Sequence, residues 1–119
     1  MFKVIIAGGR DFKNYKLLRE KCFYYLKNKM ETDEVVIISG HANGTDMLGE
    51  QFANEFGLKT ELYPADWENK GKSAGYIRNA EMLKRADAVI CFWDGKSNGT
   101  KHMINISSQN HKPLRIIYY

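Results

Sequence analysis

Three short glycine-rich segments carry most of the side chains with which this chain could do chemistry. They read GGRDF at residues 8–12, SGHANGTD at 39–46 and WDGKSNGT at 93–100. Glycine lets a backbone come close to a ligand, and unpaired N–H groups at the start of a helix attract anions. Such segments indicate the binding of a phosphate or another anion, unless they merely turn the chain.

Two charged side chains in these segments have alternative interpretations. Arg10 offers a planar fork that suits phosphate or carboxylate. Asp11 either joins it at the ligand or caps the first helix. Asp46 is expected in the first turn of a helix, where it either complements the helix dipole or accepts ribose hydroxyls. The remaining residues of these segments that we expect at the ligand are Gly8, Gly9, Ser39, Gly40, Gly44, Asp94, Ser97, Gly99 and Thr100.

A fourth segment, PADWENKGKSAGYIRN at residues 64–79, adds Asp66, Trp67, Arg78 and Asn79 to the expected ligand contacts. Trp67 could stack on a nucleobase or close the core, and taken alone the core is favoured. Arg78 is predicted one turn into a helix, so its side chain can reach back to a pocket at the start of that helix. The alternative is a structural Arg78 tied to an acidic neighbour such as Asp66 or Asp94.

No metal site or cofactor is predicted. His41, His102 and His111 have no recognisable ligand spacing, and His41 is interpreted as a loop residue. Cys22 and Cys91 lie far apart and form no C-x-x-C motif, which favours reduced thiols packed as small apolar groups.

Short apolar runs that favour strands alternate with helical patterns along the chain. Strands are predicted at residues 3–7, 34–40, 59–63, 87–93 and 114–119, and helices at 14–29, 45–56, 73–85 and 99–110. Almost continuously apolar strands separated by helices indicate a parallel sheet covered on both faces. We expect one domain over residues 1–119, an α/β sandwich whose five-stranded parallel sheet has the order 3-2-1-4-5.

Strand-to-helix loops of such a sheet all lie at its carboxyl edge, and ligands bind there where the strand order reverses. The glycine-rich segments are therefore expected to face one point. Gly57 is predicted to stop the second helix and Ser73 to cap the start of the third.

Charge and hydropathy limit the class of protein. Eighteen Lys and Arg against fourteen Asp and Glu give a net charge of +4, which suits an anionic ligand but is modest for a dedicated nucleic-acid binder. Much of the excess lies in residues 13–29, where Tyr15, Leu18, Cys22 and Tyr25 predict the apolar stripe of an amphipathic helix. No segment has the ~18 apolar residues of a membrane span, and no signal peptide is recognised, so we expect a cytoplasmic protein.

Together these motifs resemble the YspA-like branch of the SLOG superfamily, the Rossmann-like group that includes the Lonely Guy phosphoribohydrolases and DNA-processing protein A. The likeness runs through GGRDF, SGHANGTD, PADW, AGYIRNAEM and WDGKSNGT in the expected order. It implies a Rossmann-like three-layer fold that binds a nucleotide or nucleotide-derived ligand at the carboxyl edge. It also implies a homodimer, although no interface can be read from the sequence.

Two comparisons within the superfamily sharpen this expectation. RNAEM resembles the phosphoribohydrolase motif R-K-x-x-M, and KSNGTKHM keeps the Gly99–Thr100 pair of P-G-G-x-G-T-x-x-E but has Met103 in place of its glutamate. The resemblance therefore implies a phosphate cradle without the glutamate used in hydrolysis, for which Asp46, Asp66 or Asp94 could substitute. SGHANGTD matches the DNA-processing proteins, which bind single-stranded DNA with additional domains. We expect a nucleotide-binding module, with a nucleotide-processing enzyme and a single-strand binder as alternatives.

Overall fold

The computed structural model describes residues 1–119, and its sheet has the predicted form. Five parallel strands lie in the order β3-β2-β1-β4-β5, which confirms the predicted order and fold class. The strands are β1 Phe2–Gly8, β2 Val35–Ser39, β3 Lys59–Leu62, β4 Ala88–Trp93 and β5 Leu114–Tyr118.

Five helices connect these strands: α1 Tyr15–Thr32, α2 Thr45–Glu55, α3 Trp67–Lys70, α4 Ala74–Arg85 and α5 Asn98–Gln109. Four of them were predicted. The single turn α3 was not, because four residues are too few to show helical periodicity. A 3-10 turn at Gly71–Ser73 joins α3 to α4.

The sheet separates two apolar cores, which makes the three-layer sandwich. In β1 the side chains alternate, so that Val4 and Ile6 pack with the core of α1 and α2. Ile5 and Ala7 pack on the opposite face with residues of α4 and α5. Each fully buried aliphatic side chain contributes roughly 1.5 to 3 kcal/mol, so the central strand is firmly held between its helices.

The buried stripe of α1 differs slightly from the prediction. Leu18, Cys22 and Leu26 are buried, at spacings of four residues. Tyr15 lies at the edge, and its hydroxyl donates to Glu55 Oε1 at 2.5 Å. The prediction that Tyr25 belongs to the stripe is wrong, since its ring is exposed with the Arg115 guanidinium 5.6 Å from its centroid.

The predicted helix ends have different outcomes. Gly57 ends α2 as predicted, with φ of 66°. The Gly57 N–H bonds the Asn54 carbonyl and the Leu58 N–H bonds the Ala53 carbonyl at 2.8 Å, a Schellman motif. Ser73 precedes α4, but its side chain makes no capping hydrogen bond. Its backbone is already helical because the 3-10 turn runs directly into α4, so the capping prediction is wrong.

Both cysteines are free and buried, on opposite faces of the sheet. Burial raises the pKa of the Cys22 thiol, and it raises that of Cys91 to about 12. Both thiols therefore stay protonated at neutral pH, in keeping with their prediction as reduced, packed groups.

None of the helices combines the length and apolar character needed to cross a bilayer.

Candidate ligand-binding site

A cavity of about 410 Å³ lies at the carboxyl edge of the sheet, beside β1 and β4, where the strand order reverses. The loops after these two strands form part of its lining, together with the first turns of α2, α4 and α5. Eleven of the predicted site residues line it: Gly8, Gly9, Arg10, Asp11, Asp46, Arg78, Asn79, Asp94, Ser97, Gly99 and Thr100.

Five predicted site residues do not line the cavity: Ser39, Gly40, Gly44, Asp66 and Trp67. The Ser39 hydroxyl is buried and bonds Glu50 Oε2 at 2.7 Å. Asp66 caps α3, accepting from the Asn69 N–H at 3.3 Å. Trp67 is 49% exposed, so its interpretation as a core residue is wrong. It lies outside the sandwich on the short helix α3, with the Arg10 guanidinium 5.4 Å from its ring centroid.

The cavity also has lining residues that were not among the predicted site residues: Ala7, Ala42, Lys72, Gly75, Tyr76, Met82 and Met103. Gly75, Asn79 and Met82 follow one another at spacings of four and three, which places them on one face of α4. The prediction of Asn79 as a contact could therefore have been extended along that face. Tyr76 lies three residues before Asn79 and could have been found in the same way. Its ring centroid lies 4.5 Å from that of His102, with the two planes tilted by 39°.

The start of α5 leaves three backbone donors free. Asp94 Oδ1 accepts hydrogen bonds from the N–H groups of Lys96 and Ser97, both at 2.8 Å, and these bonds lower the Asp94 pKa. The first helical bond runs from the Lys101 N–H to the Ser97 carbonyl, so residues 98–100 have no partner for their N–H groups. Free N–H groups at the positive end of a helix dipole are suited to bind an anion.

Glycines of the cavity differ in why they lack a side chain. A Cβ on Gly8 would collide with the Phe92 carbonyl oxygen, and one on Gly9 would collide with the Tyr119 hydroxyl. Gly8 faces backbone, so packing requires a glycine there, whereas the side chains of Tyr119 and Asp11 could shift away from a Cβ on Gly9. A Cβ on Gly99 would meet nothing within 4 Å. Packing therefore explains Gly8 and leaves Gly99 free to expose its backbone to a ligand.

Asp46 lies in the first turn of α2 and is 7% exposed. Its Oδ2 accepts a hydrogen bond from the Ala42 N–H at 3.2 Å. Burial raises the pKa of this carboxyl to about 6, although the Ala42 N–H and the charges of Arg78 and Arg10 act in the opposite direction. At neutral pH the carboxylate is thus charged while enclosed by protein, which makes it the least favourably solvated charge of the site.

Arg78 has a structural role and also lines the cavity. Its Nη1 donates to the Gly40 carbonyl at 2.6 Å and to the Tyr63 carbonyl at 3.3 Å. It therefore ties the loops after β2 and β3 to α4. The alternative prediction that Asp66 or Asp94 pairs with Arg78 is wrong. Neither carboxylate is hydrogen-bonded to the guanidinium, and two backbone carbonyls accept its hydrogen bonds instead.

Asn79 connects α4 to α5 across the cavity. Its Nδ2 donates to the Gly99 carbonyl at 3.2 Å and lies 3.2 Å from His102 Nδ1. Burial lowers the pKa of His102, which favours the neutral ring that can accept this bond. The Arg78 Nε in turn donates to Asn79 Oδ1 at 3.3 Å. Asn79 thus holds the start of α5 and Arg78 in one hydrogen-bonded network.

The loop after β1 is held by a distant part of the chain. The Tyr119 hydroxyl donates to Asp11 Oδ1 at 2.8 Å, and its ring packs on Phe12. Asn14 caps α1, accepting from the Leu17 N–H at 3.1 Å. The interpretation of Asp11 as the helix cap is therefore wrong, because Asn14 lies directly before the helix and satisfies its first turn.

His41 lies in the loop between β2 and α2, as interpreted from the sequence. Its backbone has a left-handed φ of 58°, and its Nδ1 lies 2.9 Å from Glu50 Oε2. This residue supports the loop that carries Ala42 to Asp46.

Solved structures with the same fold include TM1055, a structural genomics target, at a TM-score of 0.70 and 21% identity over 96% of this chain and 72% of that one. DNA processing protein A from Helicobacter pylori, described for its single-stranded DNA binding mode, matches with a TM-score of 0.68 and 21% identity over 97% of this chain and 64% of that one. DNA processing protein A from Streptococcus pneumoniae matches at 0.69 and 18%, over 98% of this chain and half of that one. These similarities show a shared fold.

Sequence comparison identifies the family. Gene 61 protein of Mycobacterium phage D29 is 34% identical over 122 residues, covering 96% of this chain and 94% of the phage protein. The family model of the YspA, cpYpsA-related SLOG family matches residues 2–69, which include β1, β2, β3 and the first two glycine-rich loops. The chain therefore belongs to the YspA, cpYpsA-related SLOG family.

Proposed function

We propose that this protein binds a nucleotide or nucleotide-derived phosphorylated ligand in the cavity at the carboxyl edge. The observation that carries the proposal is the free start of α5, where the N–H groups of residues 98–100 have no partner and Gly99 has open space above it. A phosphate provides several acceptor oxygens for such a group of donors.

Further positive charge faces the same cavity. Arg10, Lys72 and Arg78 line it, and the Arg10 side chain enters no salt bridge with an acidic residue. An exposed guanidinium of this kind is available for a bidentate bond to phosphate. The cavity of about 410 Å³ lies in the ordinary range for small-molecule sites, roughly 300 to 1,000 Å³. The size suits a mononucleotide, and the three basic side chains offset the carboxylates of Asp11, Asp46 and Asp94, which line the same cavity.

Binding without turnover is the form of this function that the cavity favours. Met103 lines the cavity at the position where the phosphoribohydrolase motif has its glutamate, and it is buried. A thioether neither transfers a proton nor stabilises the positive charge that develops when a base leaves a ribose. We infer a sensor, carrier or sequestering module.

The first experiment is native mass spectrometry of freshly purified protein, followed by calorimetric titration with mononucleotides, dinucleotides and cyclic nucleotides. We expect at least one phosphorylated member of the panel to bind. The Gly99→Val variant should bind at least about tenfold more weakly, because its side chain occupies space that the ligand needs and removes charge-assisted bonds. Asn105→Val places the same side chain at an exposed position of α5, and this variant should bind the ligand as the wild type does. If no nucleotide of the panel binds, the proposal is contradicted.

A second candidate function is the binding of single-stranded nucleic acid at the same place. It is favoured by two exposed aromatic side chains near the cavity, Trp67 at 49% and Tyr76 at 46% exposure, on which bases could stack. Fluorescence anisotropy with labelled oligonucleotides tests it. Our main proposal expects weak binding that falls steeply with salt. Submicromolar affinity at physiological salt would favour the nucleic acid.

A further inference from the structure

One oxygen of Asp46 has no partner inside the protein. Oδ2 accepts the Ala42 N–H, whereas Oδ1 has no hydrogen bond. Every fully enclosed side-chain nitrogen or oxygen in this protein does have a partner. Asp46 itself is more than nine-tenths buried and lines the cavity. Its Oδ1 therefore opens into the cavity and is free to accept a hydrogen bond from a ligand.

This acceptor suits a hydrogen-bond donor and disfavours an anion. No salt bridge in the protein involves Asp46, so its negative charge is only partly compensated by Arg10 and Arg78. A phosphate placed against it would be repelled, and a buried carboxylate left without a donor is unfavourable. The part of the ligand that reaches Oδ1 is thus a hydroxyl or an amino group.

The positions of the other expected contacts indicate which part of the ligand reaches Asp46 Oδ1. The phosphate is assigned to the start of α5 at Gly99, where the free N–H groups lie. The half-exposed ring of Tyr76, tilted by 39° against His102, offers an aromatic face that suits a nucleobase. Asp46 belongs to α2 and to neither of these places. In a nucleotide the sugar joins phosphate to base, and its hydroxyls are the uncharged donors between them.

We propose that Asp46 accepts a hydrogen bond from a ribose hydroxyl and so makes the cavity selective for ribonucleotides over their deoxy analogues. This inference rests on the proposed nucleotide binding. A site with a buried acceptor for a hydroxyl discriminates strongly against an analogue that lacks it, because the acceptor then loses its partner without regaining water.

The experiment compares, by calorimetry, ribonucleotides with their 2′-deoxy and 3′-deoxy analogues on the wild type, Asp46→Asn and Asp66→Asn. On the wild type we expect at least one deoxy analogue to bind about tenfold or more weakly than the ribonucleotide. With Asp46→Asn the ratio should fall towards one, since an amide that keeps the bond to Ala42 turns its NH₂ group towards the cavity. Asp66→Asn removes a charge outside the cavity and keeps a capping side chain for α3, so its ratio should equal that of the wild type.

The outcomes separate this inference from the proposed function. If ribonucleotides and both deoxy analogues bind the wild type equally, or if Asp46→Asn keeps the full preference, the role of Asp46 is refuted while nucleotide binding stands. If the variant instead changes the preference between bases, the carboxylate contacts a base amino group and the sugar assignment is wrong. If no nucleotide binds, both proposals fail together. Thermal melts of each variant establish that it is folded.

Discussion

Replacing Asp46 with asparagine should make the protein more stable at neutral pH. Burial raises the pKa of this carboxyl to about 6 in the folded protein, from 3.8 in an ordinary environment. A raised pKa means that the folded state favours the protonated acid, so the stabilising contribution is complete below pH 3.8 and is lost as the pH rises through 6. The charged form at pH 7.5 therefore destabilises the fold, and the neutral amide does not.

The magnitude follows from the difference between the two pKa values. A difference of about two units corresponds to roughly 3 kcal/mol in the free energy of unfolding, reached well above pH 6. Asparagine can keep the acceptor for the Ala42 N–H, so the substitution removes the charge and retains the bond. We expect Asp46→Asn to exceed the wild type by up to about 3 kcal/mol at pH 7.5, with the difference shrinking towards pH 4.

Chemical denaturation of both proteins at several pH values measures this effect. Asp94→Asn is the matched control with the opposite sign, because two backbone N–H groups lower the pKa of Asp94. Its loss should destabilise the protein at neutral pH, and the deficit should disappear as the pH falls through the folded pKa of Asp94. An Asp46→Asn protein no more stable than the wild type at pH 7.5, or one whose advantage grows on acidification, would refute the reasoning.

Two further predictions concern the arginines and the chemistry. Arg78→Ala should lower both the melting temperature and the ligand affinity, because the carbonyls of Gly40 and Tyr63 lose a donor worth about 1.5 to 3 kcal/mol. Arg10→Ala should lower the ligand affinity alone. An equal decrease of the melting temperature in the two variants would contradict this. Incubation with nucleoside monophosphates should release no free base above background, since Met103 occupies the position of the glutamate in the phosphoribohydrolase motif. Chromatographic detection of base in molar excess over protein would show catalysis.

The fold and the position of the cavity were predictable because both depend on local sequence. Continuous apolar strands followed by glycine-rich turns suffice to predict a parallel sheet with its loops on one edge. The roles of individual residues were harder to predict, because their partners are distant in sequence. Asp11 was expected either at the ligand or as a helix cap, and its hydrogen-bond partner Tyr119 lies 108 residues away. Arg78 was predicted to contact the ligand, with an acidic partner as the alternative, and the structure gives it the backbone carbonyls of Gly40 and Tyr63 as partners.

The same distinction separates glycines that look alike in the sequence. Gly8 and Gly99 both lie in strand-to-helix loops, and only the structure shows that the first faces the Phe92 carbonyl while the second faces open space. Exposure is equally non-local. The large apolar ring of Trp67 is typical of a core residue. Trp67 is nevertheless half exposed, because it lies on a single helical turn outside the sandwich.

The contrast between these glycines bears on how the family can diverge. A relative that has lost its ligand would still be under selection to keep Gly8, since a larger residue collides with the backbone of Phe92. It would also keep Arg78, which joins two loops to α4. Gly99 has no such structural role, so other residues could replace it once no ligand binds. Retention of Gly99 among otherwise diverging relatives therefore indicates a lineage that still uses its cavity, whereas retention of Gly8 and Arg78 indicates only a lineage that still folds.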